Sequence, residues 1–361
     1  MSIRLKIKPH ASPADVAACR ASLRGGSKTF FAASLALPHA VRQPAAALYA
    51  FCRMADDAID QGPNHEAALL DLHRRLALIY SGAPADIAAD RAFADCALHF
   101  AIPRHFPLAL LEGFEWDAIG RRYEDLPALR SYGVRVAGTV GAMMTMVMNV
   151  RERELVARAC DLGVAMQFTN IARDVGEDAR AGRLYLPLQW MREAGLDPDA
   201  WLARPVFCGP LARVIERLLA EAEALYERSD AGLAQLPHAC RPGMYAARLL
   251  YAEIGHEVAR RGFDSVSQRA VVPWHRKARI LADAWVAAQR QAPAVSFAAL
   301  AEGELLLDAI APRSVVPAAP RDTVRELARW PRIEDRVVWL VDLFERLERR
   351  DRATAETANL S

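Results

Sequence analysis

Apolar positions in this chain recur at helical spacing, alanine, leucine, arginine and glutamate are abundant, and alternating strand-like runs are scarce. The pattern predicts a protein built of helices. Pro38, Pro103, Pro187, Pro205 and Pro242 fall between the helical stretches, where a missing N–H and a fixed φ are expected to break a helix. There is no repeat of solenoid type. The longest stretch without charge, Val136 to Val150, is shorter than the roughly 20 residues a membrane-spanning helix needs, and it carries Gly138 and Gly141. It is expected to be a buried helix.

Around residue 290 the character changes. Ala311 to Pro320 is a proline-rich connector, and beyond it Val337, Leu340, Val341, Phe344 and Leu347 recur at helical spacing with charges between them. The expected organisation is one helical domain over 1–290 and a connector with a terminal amphipathic helix over 291–361. That helix either docks on the main body or lies on a membrane or a partner.

Composition narrows the function. With 53% apolar and 25% charged residues the chain is an ordinary globular protein, and a net charge of +2 without Lys/Arg-rich blocks argues against nucleic acid as a partner. The six cysteines, Cys19, Cys52, Cys96, Cys160, Cys208 and Cys240, form no CxxC pair, which argues against a zinc site. Reduced cysteines and a polar, basic Met1–His10 without the apolar core of a secretory signal lead us to expect a cytoplasmic protein.

Two acidic constellations carry chemistry. In Tyr49-Ala-Phe-Cys-Arg53-Met-Ala-Asp56-Asp57-Ala-Ile-Asp60, the carboxylates of Asp56 and Asp60 share one helix face. Like charges at that spacing cost a helix about 0.2–0.5 kcal/mol. A divalent cation would offset this, since magnesium takes oxygen ligands and bridges carboxylates to phosphates. The alternative is a surface helix with Arg53 paired to Asp56 or Asp57. In the second constellation, Gln167 to Pro187, Asn170, Asp174 and Asp178 stand at i, i+4 and i+8, with Gln167 one turn earlier. Phe168, Ile171 and Val175 between them are apolar, so the helix packs while carrying oxygen donors, a costly arrangement unless a metal binds there. The alternative is a capping and salt-bridge series using Arg173 with Glu177. If the two helices face each other, their donors line one cavity in which metal ions hold a diphosphate, with Arg53 and Arg173 in reach of its oxygens. The remaining wall would be apolar, from Val136 through Met146. Gly138 and Gly141 would allow close approach there, and Met143, Met144 and Met146 would adapt to an irregular chain.

From Ser27 to Lys277 these residues resemble the squalene/phytoene synthase family. The segment Gly26-Ser-Lys-Thr-Phe30 is similar to the family's Ser-Lys-Ser-Phe opening, with Thr29 in place of the second serine. Tyr49 to Asp60 resembles its first aspartate-rich motif, and Asn170-Ile-Ala-Arg-Asp174-Val-Gly-Glu-Asp178 its second. Tyr132 with Val136 to Gly141 resembles a mid-chain signature, and Trp339 to Leu347 the tails of bacterial members.

The resemblance implies an all-α isoprenoid synthase fold, a single helical domain with a central apolar cavity. It implies magnesium (or manganese) on Asp56, Asp60, Asn170, Asp174 and Asp178, with these aspartates and Tyr251 catalytic. It implies substrate contacts at Ser27, Lys28, Tyr49, Arg53, Tyr132, Gln167, Asn170, Arg173, Tyr185, Arg269 and Lys277. The implied activity joins two geranylgeranyl diphosphates head to head, without NADPH. The implied partners are the prenyl diphosphate, a membrane surface touched peripherally, and a downstream desaturase.

Three other readings stand beside it. Family members using farnesyl diphosphate make squalene, dehydrosqualene or presqualene diphosphate. Asp56-Asp57-Ala-Ile-Asp60 also satisfies the DDxxD of chain-elongating enzymes, but a second DDxxD is missing. A catalytically silent scaffold should have lost the aspartates, which are all present.

Overall fold

The computed structural model describes residues 9–60 (Asp60 by its backbone only), 64–289 and 297–310, and among them there is no β-strand. The expected connector and terminal helix fall outside the described residues.

The first half of the chain forms α1 (Pro13–Gly26), α2 (Lys28–Leu35), α3 (His39–Asp60), α4 (His65–Ser81), α5 (Ala88–His99) and α6 (His105–Ala118). Then α7 (Leu126–Gly133) runs through a π-helical turn, Val134–Gly138, into α8 (Thr139–Val147). The second half contains α9 (Arg153–Arg180), α10 (Leu188–Glu193), α11 (Pro198–Ala203), α12 (Gly209–Leu233), α13 (Arg241–Arg260) and α14 (Trp274–Ala287), followed after a gap by the short α15 (Glu304–Leu307). None of the helices formed by described residues is long and apolar enough to cross a membrane. The six cysteines are all free.

Local chemistry sets the boundaries. Ser12 and Asp15 form a reciprocal capping box at α1. Ser27 ends α1 and caps α2 by accepting from the N–H of Phe30 at 3.2 Å. Pro38, Pro103 and Pro205 lie between helices and Pro187 stands just before α10, as expected, but Pro242 sits in the first turn of α13, where no intrahelical N–H is missed. Pro44 lies inside α3, a position the sequence pattern did not mark.

Helix α9 is the axis of the fold. Buried residues cover it from Val156 to Ala179, and α12 packs along it through Leu211, Ile215, Leu218, Ala222 and Leu225. On another side α8 comes so close that a Cβ on Gly141 would overlap the carbonyl of Ala159, and the π turn before it so close that one on Gly163 would overlap the carbonyl of Ala137. Gly138, by contrast, would meet only ordinary contacts at 3.6–3.7 Å. Of the two glycines singled out from the sequence, Gly141 is therefore the one that sets a helix contact.

Residues 297–310 pack back on this body. Arg158 donates to the carbonyls of Phe297 and Ala298 (3.1 and 3.2 Å), Arg228 donates to Ala298 (2.7 Å), and both guanidiniums lie over the Phe297 ring. The fully buried Asp161 takes Arg228 at 3.0 Å and Arg158 at 3.2 Å, so these cations are not left uncompensated inside.

The α8–α9 contact leaves no room for a methyl group. Gly141→Ala is expected to cost about 1–3 kcal/mol by forcing the two backbones apart. Thermal melts followed by circular dichroism should show a clear fall in Tm, and an unchanged Tm would mean the helices separate freely.

Candidate active site

A cavity of about 630 Å³ runs between α2, α3, α6, α8, α9 and α13. Each helix presents a stripe at helical spacing. On α9 it comprises Ala159, Leu162, Gly163, Met166, Gln167, Asn170 and Arg173, so the wall changes from apolar to polar over about 21 Å. On α3 the inward core positions Leu48, Phe51, Ala55 and Ile59 fix the helix, with Phe51 stacked on Phe93 at 4.3 Å, and the adjoining face turns Tyr49, Cys52, Arg53 and Asp56 to the cavity. The backbone of α3 continues that face to Asp60, whose side chain is outside the described residues. The π turn and α8 contribute Val136, Ala137, Val140, Gly141 and Met144. Met143 and Met146, expected on this wall, are instead fully buried in the core, because they point from α8 away from the cavity stripe.

Among the residues proposed from sequence, Ser27, Lys28, Tyr49, Arg53, Asp56, Tyr132, Gln167, Asn170, Arg173, Tyr251 and Arg269 all line this one cavity. Asp174, Asp178, Tyr185 and Lys277 do not. Asp174 is held from two sides: Arg173 donates Nε to Oδ1 at 2.7 Å, and Arg269 donates Nε to the same atom at 2.8 Å. Tyr185 reaches the wall only through a neighbour. Lys277 is half-buried on α14, which packs on α13.

Arg269 comes from the loop between α13 and α14, and a close backbone approach puts it there. Gly176 donates its N–H to the Ser265 carbonyl at 3.0 Å, and a Cβ at 176 would overlap the Val266 carbonyl. The glycine inside Asp174-Val-Gly-Glu therefore seats the loop whose arginine meets Asp174.

At the other end, Arg53 pairs with Asp57 at 2.7 Å and Asp56 at 3.6 Å, the ion pairing weighed as the alternative for this motif. Burial pushes the Tyr251 phenol up to about 12 against the opposing pull of Arg173, and its ring lies 5.0 Å from that of Phe30. Ser27, Lys28, Thr29 and Phe30, at the N-terminus of α2, line the same cavity, and a helix N-terminus is a favourable place for an anion.

The donors fit a hard divalent cation. Asn170 Oδ1 is buried on the cavity wall without a hydrogen-bond partner. Asp174 and Asp178 follow it along the same helix face. Carboxylate and amide oxygens are the ligands that magnesium prefers. Among the described residues no three His, Cys, Asp or Glu side chains converge on one point. Metal would therefore have to draw Asp174 from its arginines, freeing both guanidiniums for an anion.

One wall residue escaped the sequence reading. Asp117 lines the cavity and accepts hydrogen bonds from Tyr132 (2.9 Å, to Oδ2) and Tyr185 (2.7 Å, to Oδ1), whose rings stack at 5.3 Å. The signal was present: Leu110, Phe114 and Asp117 form an apolar helix stripe that ends in a carboxylate.

The family model described as squalene/phytoene synthase matches residues 23–278. The chain is 53% identical to the phytoene synthase of Cereibacter sphaeroides over 274 residues, covering 73% of this chain and 77% of that one. It is 49% identical to the phytoene synthase of Rhodobacter capsulatus over 312 residues, covering 84% and 92%. A crystal structure of a dehydrosqualene synthase in complex with ligand superposes with a TM-score of 0.69 at 32% identity, covering 75% of this chain and 95% of that one.

The Asp178 carboxyl is pushed up to about 7 by burial and then by Asp174, against the pull of Arg183. Its folded-state pKa lies above the ordinary 3.8, so the folded protein binds the proton more tightly than the unfolded chain. The resulting stabilisation is fully present below about pH 4 and is lost as pH rises to about 7. Without divalent cation, Asp178→Asn is expected to gain about 1–2 kcal/mol at alkaline pH and little in acid. Denaturant titrations across pH check this, and a variant no more stable at pH 8 than the parent would refute the assigned burial.

Proposed function

This chain belongs to the squalene/phytoene synthase family, and on that premise we propose that it is a magnesium-dependent phytoene synthase, condensing two geranylgeranyl diphosphates through prephytoene diphosphate. The observation that carries the reading is one apolar cavity whose α9 wall ends in Asn170, Arg173 and the Asp174–Arg269 pair. The 53% and 49% identity to phytoene synthases, against 32% to a dehydrosqualene synthase, supports the longer substrate.

Magnesium bound by Asp56, Asp60, Asn170, Asp174 and Asp178 would neutralise the charge that develops on departing diphosphate. The chain's own residues do the rest. Arg53, Arg173, Arg269 and Lys28 hold phosphate oxygens, with Ser27, Tyr49, Gln167 and Tyr251 completing the polar wall. Lys277, one layer back on α14, adds positive charge behind it. Leu110, Phe114, Val140, Met144 and Leu162 enclose the prenyl chains and exclude water, which would quench a carbocation.

In the first half-reaction the donor loses diphosphate, and its allylic cation alkylates the acceptor double bond. Proton loss then closes a cyclopropane. In the second, that product ionises, rearranges and loses a proton to give phytoene. No hydride enters, so NADPH is not required. The product is strongly apolar, which favours peripheral contact with a membrane and transfer to a desaturase.

Purified protein incubated with magnesium and geranylgeranyl diphosphate, without NADPH, should yield phytoene by mass analysis of the lipid extract. A product only from farnesyl diphosphate would move the protein to the squalene or dehydrosqualene side. Asp56→Ala and Asp174→Ala should each lower turnover by about 100-fold or more, and near-normal turnover with unchanged magnesium dependence in either would overturn the metal assignment.

A further inference from the structure

We infer that Asp117 is a positioning residue for a proton-loss step, turning Tyr132 into a hydrogen-bond acceptor facing the prenyl cation. The inference rests on the proposed function above and adds a residue outside both aspartate-rich motifs.

The geometry is specific. Each Asp117 oxygen takes a different phenol, Tyr132 at 2.9 Å and Tyr185 at 2.7 Å. A hydroxyl has one proton, so a phenol that donates it to Asp117 presents only lone pairs elsewhere. Tyr132 and Asp117 both line the cavity, at the seam between the apolar residues Phe114, Val136 and Ala137 and the second acidic ladder. Asp117 is close enough to that ladder to contribute to the raised pKa of Asp178.

The tyrosines are held against rotation. Tyr132 is 3% exposed, stacks on Tyr185 at 5.3 Å and lies 5.1 Å from the ring of Tyr123, whose own hydroxyl is buried without a partner. Burial, followed by the charge of Asp117, holds both Tyr132 and Tyr185 far above the usual phenol range. Neither phenol therefore rests as tyrosinate, and a neutral hydroxyl acting as base must pass its own proton on.

The step balances as a relay. In the ring-closing step the C–H bond on the donor's C1, one carbon removed from the cationic carbon, breaks, and its electron pair forms the bond from C1 to that carbon that closes the cyclopropane. The proton passes to Tyr132 Oη as the phenol's own proton moves to Asp117 Oδ2. The proton then leaves Asp117 for the departed diphosphate or for solvent.

The test uses the full-length protein with magnesium and its prenyl diphosphate, comparing Asp117→Asn, Tyr132→Phe and the double variant. Asparagine keeps the shape of the side chain, but its amide cannot accept from both phenols or take the proton. Each single variant should lose about 100-fold in kcat with unchanged KM, unchanged magnesium half-saturation and unchanged Tm. The double variant should be no slower than either single one, because the two residues act as one unit.

The inference fails if Asp117→Asn keeps wild-type kcat. It fails if the loss lies in KM or in magnesium half-saturation, which would put Asp117 at the diphosphate or the metal. It also fails if Tm falls and the single losses multiply, the mark of a structural role. Should the wild type make no phytoene, the proposed function fails by itself. The same comparison is then run on whichever prenyl diphosphate the wild type consumes.

Discussion

A helix buried on every side that nevertheless carries a row of oxygen donors is the constraint around which this protein is organised. Helix α9 packs against α12 and α8 and still turns Gln167 and Asn170 into a cavity, with Asp174 and Asp178 following them. Water cannot solvate those donors fully, and Asn170 Oδ1 has no protein partner. Arginine meets the cost locally at Asp174, while burial pushes the Asp178 carboxyl up to about 7.

The arginines follow the same logic. Arg53, Arg173 and Arg269 are each engaged with carboxylates in the ligand-free protein, at 2.7, 2.7 and 2.8 Å. On the proposed function, a cation entering the second acidic row would compete for Asp174, and Arg173 and Arg269 would become available to a diphosphate in the same event. Loop 262–273 takes part because Gly176 lets its backbone rest directly on α9.

The apolar part of the cavity depends on a second close approach. Gly141 lets α8, and Gly163 the π turn at Val134–Gly138 before it, touch α9 backbone to backbone. Such turns are frequent at functional sites because they re-aim side chains without ending a helix. Here Tyr132 lies just before the turn and Val136, Ala137 and Val140 lie within or after it, so one continuous helical run supplies both the phenol and the hydrocarbon wall.

Helical class and the two acidic rows were legible in the sequence because each is a matter of spacing along one helix. Asn170, Asp174 and Asp178 must share a face whatever surrounds them, and so must Tyr49, Arg53 and Asp56. Spacing cannot say which face of α8 a methionine takes, so Met143 and Met146 looked like cavity residues and proved to be core. Nor can it show that Gly176 serves a loop ninety residues away in the chain, or that Asp117, a single carboxylate on an apolar stripe, receives two phenols from α7 and from the segment before α10. Periodicity along one helix is a local property that the sequence determines; partners contributed by different helices exist only once packing has brought them together, and that was decided by the tertiary structure alone.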